Sequence, residues 1–247
     1  MEKKAALVTG GTRGIGRAVS LQLAENGYQI ILANYLQNDV EAKKTQSILK
    51  SKGAACVLIK ANLASLDEID DLFKEVETHC NRIDVFVHCA ALNAFKPLIK
   101  IKPNQWDLTI NVNTRSFLYS VQKCVALMPD GGSIVALSSL GSTRVIPNYG
   151  AMGPAKSALE STVRYLAAEL APVKIRVNAV CGGIIETDSL MQFPDAEYYL
   201  KEIVERTPAG RIGKPEDIAN AVLFLCSSSA EYVYGHVFVV DGGLSLF

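Results

Sequence analysis

Glycines at positions 10, 14 and 16 of Thr9-Gly10-Gly11-Thr12-Arg13-Gly14-Ile15-Gly16 directly follow a short apolar run and open an amphipathic segment. Between a strand and a helix, such glycines permit a tight turn. Its backbone N–H groups can approach a pyrophosphate, whose charge the helix N-terminus favours. A glycine-rich turn without a ligand is the alternative, against which the strand pattern below weighs. Gly10, Thr12, Arg13, Gly14, Ile15 and Gly16 are the candidate phosphate contacts. Charge then separates the possible dinucleotides. After the second strand, where an Asp or Glu would hydrogen-bond the ribose 2′-hydroxyl of NAD, the chain reads Asn34-Tyr35-Leu36 and has no acid until Asp39. Losing that anion removes repulsion against a 2′-phosphate, and Arg13 adds a guanidinium of suitable geometry. NADPH is the expected cofactor. No metal is expected, because His79, His88 and His236 lie far apart and the six cysteines form no CxxC pair.

Elements that would position such a turn are visible as short apolar runs alternating with longer segments of helical period, the pattern of a parallel sheet with crossover helices on both faces. Seven runs read as strands: Ala5 to Val8, Ile30 to Ala33, Ala55 to Ile59, Asp84 to Val87, Ser133 to Leu137, Ile175 to Val180 and Val237 to Val240. Ile15, Ala18, Val19 and Leu23 give the first helix one apolar face, and Asn26-Gly27 suits its end. Ser65-Leu66-Asp67-Glu68 reads as a capping box in which Ser65 and Glu68 satisfy each other's backbone N–H groups. The expected architecture is α/β, one doubly wound Rossmann domain over residues 1–247. An irregular stretch of about 182–215 is a substrate-binding insertion beyond the sixth strand, at the edge where open parallel sheets bind ligands.

Composition agrees with one ordinary globular domain. The 247 residues hold 25 Lys and Arg against 25 Asp and Glu, with 49% apolar and 20% charged residues, so burial can be extensive and disorder is excluded. A zero net charge without basic runs speaks against nucleic acid as a partner. No stretch approaches the roughly 20 apolar residues of a membrane-spanning helix. The start lacks the apolar core of a secretory signal, and a cytoplasmic location is expected.

The GxxxGxG spacing resembles the short-chain dehydrogenase/reductase superfamily, and the resemblance runs through the chain. Pro208-Ala209-Gly210-Arg211-Ile212-Gly213-Lys214-Pro215-Glu216-Asp217 and Val240-Asp241-Gly242-Gly243 look like its C-terminal signature. Asn178-Ala179-Val180 leading to Ile185-Glu186-Thr187 is similar to the segment that binds the nicotinamide carboxamide, with Gly182-Gly183 in place of Pro-Gly. The resemblance implies contacts from Ile185 and Thr187, from Ala90 beside the nicotinamide, and from Asn62-Leu63 where relatives read the adenine. Asn34 and Tyr35 fall at the adenosine ribose.

One departure discriminates within the superfamily. Members acting on alcohols and ketones carry Tyr-x-x-x-Lys, but Met152 stands at that tyrosine position before Lys156, and methionine donates no proton. Tyr149 instead gives Tyr149-x6-Lys156, the spacing of the superfamily's enoyl-acyl carrier protein reductases. Ser138-Ser139-Leu140-Gly141, Ile146-Pro147-Asn148-Tyr149 and Phe86-Val87-His88-Cys89 also resemble that group, in its FabI and FabL types. Serine at 139, where the FabI type has a second tyrosine, favours FabL. Pro154 suits a first helical turn, so Tyr149 should lie on the preceding loop and Lys156 at the helix start. The resemblance implies that Lys156 holds the nicotinamide ribose and tunes the phenol. An ammonium about 4 Å away at an effective dielectric of about 20 is worth about 4 kcal/mol, about three pKa units off a phenol near 10. Ser139 either contacts substrate or hydrogen-bonds the end of the fifth strand. Asn113 matches an asparagine that supports the lysine through backbone and water, with helix packing as its other role.

The implied activity is NADPH-dependent reduction of the 2,3 double bond of a trans-2-enoyl thioester, expected on acyl carrier protein in fatty-acid elongation. The alternatives are a ketone or specialised enoyl reductase of secondary metabolism and a non-catalytic NADPH sensor. Leu190, Met191, Phe193, Tyr198 and Tyr199 form either a lid over an acyl chain or an ordinary loop anchor. Lys201, Arg206, Arg211 and Lys214 either meet an acidic carrier protein or form a solvated face. Small and apolar residues on several faces of the helix from about Pro154 to Ala171 imply a partner helix. By resemblance the assembly is a homotetramer, with the helix near Trp106 to Leu127 sharing the interface.

Overall fold

A computed structural model describes residues 3–92, 94–188, 190 and 196–246, apart from the side chains of residues 196–199. Seven strands form one parallel sheet: β1 (Ala5–Thr9), β2 (Ile30–Tyr35), β3 (Ala55–Lys60), β4 (Val85–His88), β5 (Gly132–Ser139), β6 (Ile175–Gly182) and β7 (Val237–Val240). Their order is β3-β2-β1-β4-β5-β6-β7, so the winding reverses between β1 and β4. In an open parallel sheet that reversal leaves a crevice at the carboxyl ends of the strands.

Strand residues alternate between two faces, and each face has its own core. Leu7, Leu32, Phe86, Ile134 and Val177 pack against α3 (Leu66–His79), α5 (Ser116–Ala126) and α6 (Met152–Leu170). Val8, Ile31, Val87, Val135 and Val180 pack against α1 (Gly14–Glu25), α2 (Asp39–Ser51) and α8 (Pro215–Cys226). Burial on both faces is why the strands read as continuous apolar runs rather than alternating ones. The remaining helices are α4 (Pro103–Ile110) and α7 (Ala196–Arg206).

Strands β2, β5 and β6 run two residues past the expected ends. Asn34 and Tyr35 pair with Ile59 and Lys60, and Ser138 and Ser139 pair with Cys181 and Gly182. Asn34 and the two serines interrupt the apolar runs of β2 and β5 and Gly182 ends that of β6, while ladder pairing with the neighbouring strand keeps each backbone extended. The capping box is only half formed. Ser65 Oγ accepts from the Glu68 N–H, but the Glu68 carboxylate accepts from the Asn62 N–H at 2.7 Å, because the Ser65 N–H already donates to the Asn62 carbonyl. Nor is the helix around Trp106 to Leu127 continuous. A π-helical segment, Asn111–Arg115, lies between α4 and α5, and Ser116 Oγ donates to the Val112 carbonyl at 2.6 Å.

Candidate active site

At the crevice, β1 passes through the glycine turn into α1. Gly14 has φ +51, and a Cβ at Gly16 would lie 2.1 Å from the Gly10 carbonyl oxygen, so only glycine lets the turn close so tightly on itself. Side chains around the turn are spent on holding it. Asn34 Oδ1 accepts from the Gly10 N–H at 3.4 Å while its Nδ2 donates to the carbonyls of Ile59 and Ala61. Thr45 Oγ1 and the Arg17 guanidinium donate to the Thr12 carbonyl, and Arg17 also pairs with Glu41.

The head of α1 differs from those of its neighbours. Neither a capping side chain nor an acidic residue occupies its first turn, whereas α2 has Asn38 as cap with Asp39 and Glu41, and α3 has Ser65 with Asp67 and Glu68. An uncapped terminus presents unpaired N–H groups and the positive end of the helix dipole. This cradle fits a pyrophosphate. Thr187 stands over it, its Cγ2 3.5 Å from where a Gly14 Cβ would be.

One cavity of about 1130 Å³ runs from this turn to the start of α6, just above the roughly 300–1,000 Å³ of most small-molecule pockets. Every candidate catalytic or cofactor-binding residue named from sequence lines it except Asn113. Arg13 is exposed, and among the described residues no hydrogen bond or ion pair holds its side chain. Asp39, the first acid after β2, is already engaged. The Tyr35 hydroxyl donates to it at 2.8 Å and Lys60 pairs with it at 3.2 Å, together holding its carboxyl below the usual range. Asn62 closes a local turn by accepting from the Ala64 N–H, Leu63 is buried, and the Ala90 N–H donates to Thr9 Oγ1. Ile185 is buried where its segment bridges to Gly213.

At the other end, Tyr149 stands on the loop before α6 and Lys156 on its second turn. Asn148, immediately before the tyrosine, adopts φ +60, and the Gly150 N–H donates to the Lys96 carbonyl. The ring lies against Gly141, where a Cβ would come within 2.5 Å of Tyr149 Cδ1. Burial raises the Tyr149 pKa, and a side-chain hydrogen bond with Ser139 opposes the rise. This corrects the expectation that Lys156 lowers it. The Lys156 ammonium donates instead to the Leu137 carbonyl at 2.7 Å, and burial lowers its own pKa to about 8. Met152 is buried in the first turn of α6 and lines the same cavity.

Asn113 lies in the π-helical segment, fully buried. Its Nδ2 donates to the Leu92 and Thr109 carbonyls, and its Oδ1 has no partner among the described residues. Two further residues belong to the site: His88, met in the sequence only among the scattered histidines and in the fourth-strand resemblance, and Glu160, which the sequence reading does not reach. His88 pairs with Thr9 through Nδ1 at 3.1 Å, and burial depresses its pKa to about 3, with the Lys156 charge adding to the effect. Glu160 is buried and accepts from the Ser138 hydroxyl at 2.5 Å; its i+4 spacing from Lys156 was the available signal.

A protein family described as Enoyl-(Acyl carrier protein) reductase matches residues 10–245. The chain belongs to the short-chain dehydrogenase/reductase superfamily. It is 40% identical over 246 residues to the 1-cyclohexenylcarbonyl-CoA reductase of Streptomyces collinus, covering 99% of this chain and 88% of that one. With the 3-oxoacyl-[acyl-carrier-protein] reductase FabG of Staphylococcus epidermidis it shares 35% over 244 residues, 98% of each. A short-chain dehydrogenase/reductase from Serratia marcescens superposes with a TM-score of 0.92 at 29% identity, covering 99% of this chain and 98% of that one. As a short-chain dehydrogenase/reductase the protein is an oxidoreductase of a family that binds nicotinamide dinucleotides.

Within that framework the remaining expectations divide. Arg211 is no free docking cation: its guanidinium donates to both carboxylate oxygens of Asp217, which also accepts from the Lys214 N–H and so closes the head of α8. Arg206 pairs with Glu202 at 3.8 Å. Of the five expected lid residues, Leu190 lines the cavity. Met191 and Phe193 lie outside the described residues, as do the side chains of Tyr198 and Tyr199. No helix among the described residues is long and apolar enough to cross a membrane.

Proposed function

We propose that the protein reduces the 2,3 double bond of trans-2-enoyl thioesters with NADPH. The reading is carried by one observation: the phenol in the cavity comes from Tyr149 on the loop, while Met152 fills the helix position from which the superfamily's ketone reductases present theirs. Bound along the cavity, NADPH would supply a hydride to the β-carbon of the enoyl group. Reduction there moves charge onto the thioester oxygen, and the Tyr149 hydroxyl gives its proton to that oxygen as the enolate develops; the enol then takes a proton from solvent at the α-carbon as its hydroxyl proton returns to the Tyr149 phenolate. Its raised pKa suits this role, keeping the phenol a donor at neutral pH. Ser139 holds the phenol, and Lys156, fixed on Leu137 at the cavity wall, is the residue we assign to the nicotinamide ribose. Asn113 is a positioning residue that ties the Leu92 loop to α4.

NADPH rather than NADH is supported by Arg13, held by no partner among the described residues, and by Asp39, whose charge Lys60 offsets. Acyl carrier protein is the proposed carrier. A specialised enoyl-CoA is the second reading, favoured by the relative named for a cyclohexenylcarbonyl-CoA. A cytoplasmic location and a homotetramer complete the proposal, the assembly being supported by Trp106, Leu118 and Tyr165 exposed on α4, α5 and α6.

The deciding experiment follows NADPH oxidation with an enoyl thioester on acyl carrier protein, its coenzyme A counterpart and a β-ketoacyl thioester. Turnover of the enoyl thioesters is expected, and their ratio selects the carrier. NADPH loss with the ketone alone, or tight NADPH binding without any turnover, would overturn the reading.

A further inference from the structure

Three consecutive residues at the end of β5 each hold a different polar group of the site. The Leu137 carbonyl accepts from Lys156 at 2.7 Å, the Ser138 hydroxyl donates to Glu160 at 2.5 Å, and the Ser139 side chain bonds Tyr149. Two of these rungs are explained by the proposed reaction, whereas the middle one joins a serine to a carboxylate that reaches no substrate position. Glu160 is only 5% exposed. Burying a carboxylate is costly unless a partner or counter-charge compensates, and one hydroxyl does not neutralise it.

The counter-charge is one turn away. Lys156, 3% exposed, sits four residues earlier on the same face of α6, and other groups facing it are uncharged near neutral pH. Burial drives the Cys89 thiol of β4 far above its ordinary value and the Cys181 thiol of β6 up to about 12. His88 of β4 is held neutral. Asp241, beyond β7, acts on Cys181 rather than on the lysine. Glu160 is therefore the carboxylate that acts on Lys156 among the described residues.

We propose that Glu160 is a positioning residue: clamped to β5 through Ser138, it keeps Lys156 charged and fixes the strand end on which Lys156 and Tyr149 both depend. The proposal rests on the reductase reading: its turnover arm on the enoyl reaction, and its binding arm only on Lys156 holding the nucleotide, for which no substrate is needed.

NADPH binding, followed by nucleotide fluorescence from pH 6 to 10, and turnover of the enoyl thioester are compared for the parent, Glu160→Gln and Ser138→Ala. Glutamine can still accept from Ser138 but carries no charge. The alkaline loss of NADPH binding should then move to lower pH by about one unit, since removing an anion disfavours the ammonium. Ser138→Ala keeps the charge but frees it from the strand, so kcat should fall about tenfold with KM and the alkaline limb little changed. A parental alkaline limb in Glu160→Gln overturns the charge role, and a parental kcat in Ser138→Ala overturns the clamp. If Glu160→Gln fails to fold, Glu160→Met, which removes the charge without leaving a buried polar group, carries the test of the charge, and a parental alkaline limb there overturns it; Ser138→Ala decides the clamp. A shifted binding limb in a protein that never reduces the enoyl thioester would uphold the role of Glu160 and overturn the enoyl reading instead.

Discussion

The glycine turn and the β5–α6 edge face each other across one cavity, yet they are built in opposite ways. At the turn, the main chain faces the ligand position, and the side chains of Asn34, Arg17 and Thr45 are consumed in shaping that main chain. At the β5–α6 edge, the main chain of Leu137 and the side chain of Ser139 hold two side chains that line the cavity, Lys156 and Tyr149, while Ser138 holds the buried Glu160 behind them. A surface of backbone N–H groups suits any dinucleotide and says little about the reaction. A placed phenol and ammonium are specific to a chemistry. Substitutions at the two ends should therefore fail differently: chemically at the edge, and by cofactor selectivity at the turn.

The largest effect is expected at the edge. Tyr149→Phe keeps the ring against Gly141 and removes only the hydroxyl, and losing one donor to a developing oxyanion costs about a hundredfold to a thousandfold in kcat. NADPH affinity, measured by fluorescence titration, should stay within about twofold, because the contacts proposed for pyrophosphate and ribose lie elsewhere. Adding Met152→Tyr restores a phenol near Lys156, but from a buried helical position, and should not rescue enoyl reduction. Near-parental turnover in Tyr149→Phe would erase the distinction between the two ends.

At the turn, Arg13→Ala should weaken NADPH by about 1.5–3 kcal/mol, the worth of a hydrogen bond to a charged group, and leave NADH nearly unchanged. Arg17, four residues on, cannot substitute, being committed to Thr12, Thr45 and Glu41. Equal losses for both nucleotides would show that Arg13 serves the turn rather than a phosphate.

The same contrast explains what could be read in advance. Strands buried on both faces announce themselves as apolar runs, and a glycine turn is local in sequence, so the sheet and the turn were legible. So was the loop position of Tyr149, which follows from Pro154 and the helix in whose first turn it sits. Partners far along the chain were not. Lys156 answers to a carbonyl 19 residues away, and Asn34 is saturated by the carbonyls of Ile59 and Ala61, so neither bond leaves a trace in local spacing. The π-helical segment was equally hidden, since one extra residue per turn barely disturbs an apolar period over five residues. Glu160 was within reach through its i+4 relation to Lys156, but an acid on a helix ordinarily reads as solvent-facing.

The smallest effect concerns how each end meets a left-handed backbone. The turn uses glycine at positions 10 and 14, whereas the loop that aims Tyr149 uses Asn148 at φ +60. Asparagine tolerates this region because its short polar side chain can bond locally, while other L-residues pay about 1–2 kcal/mol. Asn148→Ala should therefore lower stability by about 1 kcal/mol, a Tm decrease of about 2–4 °C for a chain of this size. Asn148→Gly should stay within about 0.5 kcal/mol of the parent, because freedom at φ > 0 and greater unfolded-state entropy offset one another. If the conformation rather than the amide matters to Tyr149, kcat should track this order, with glycine near the parent and alanine below it. A parental Tm for Asn148→Ala would show that the loop relaxes without cost, so that Tyr149 is aimed by Ser139 and Gly141 alone.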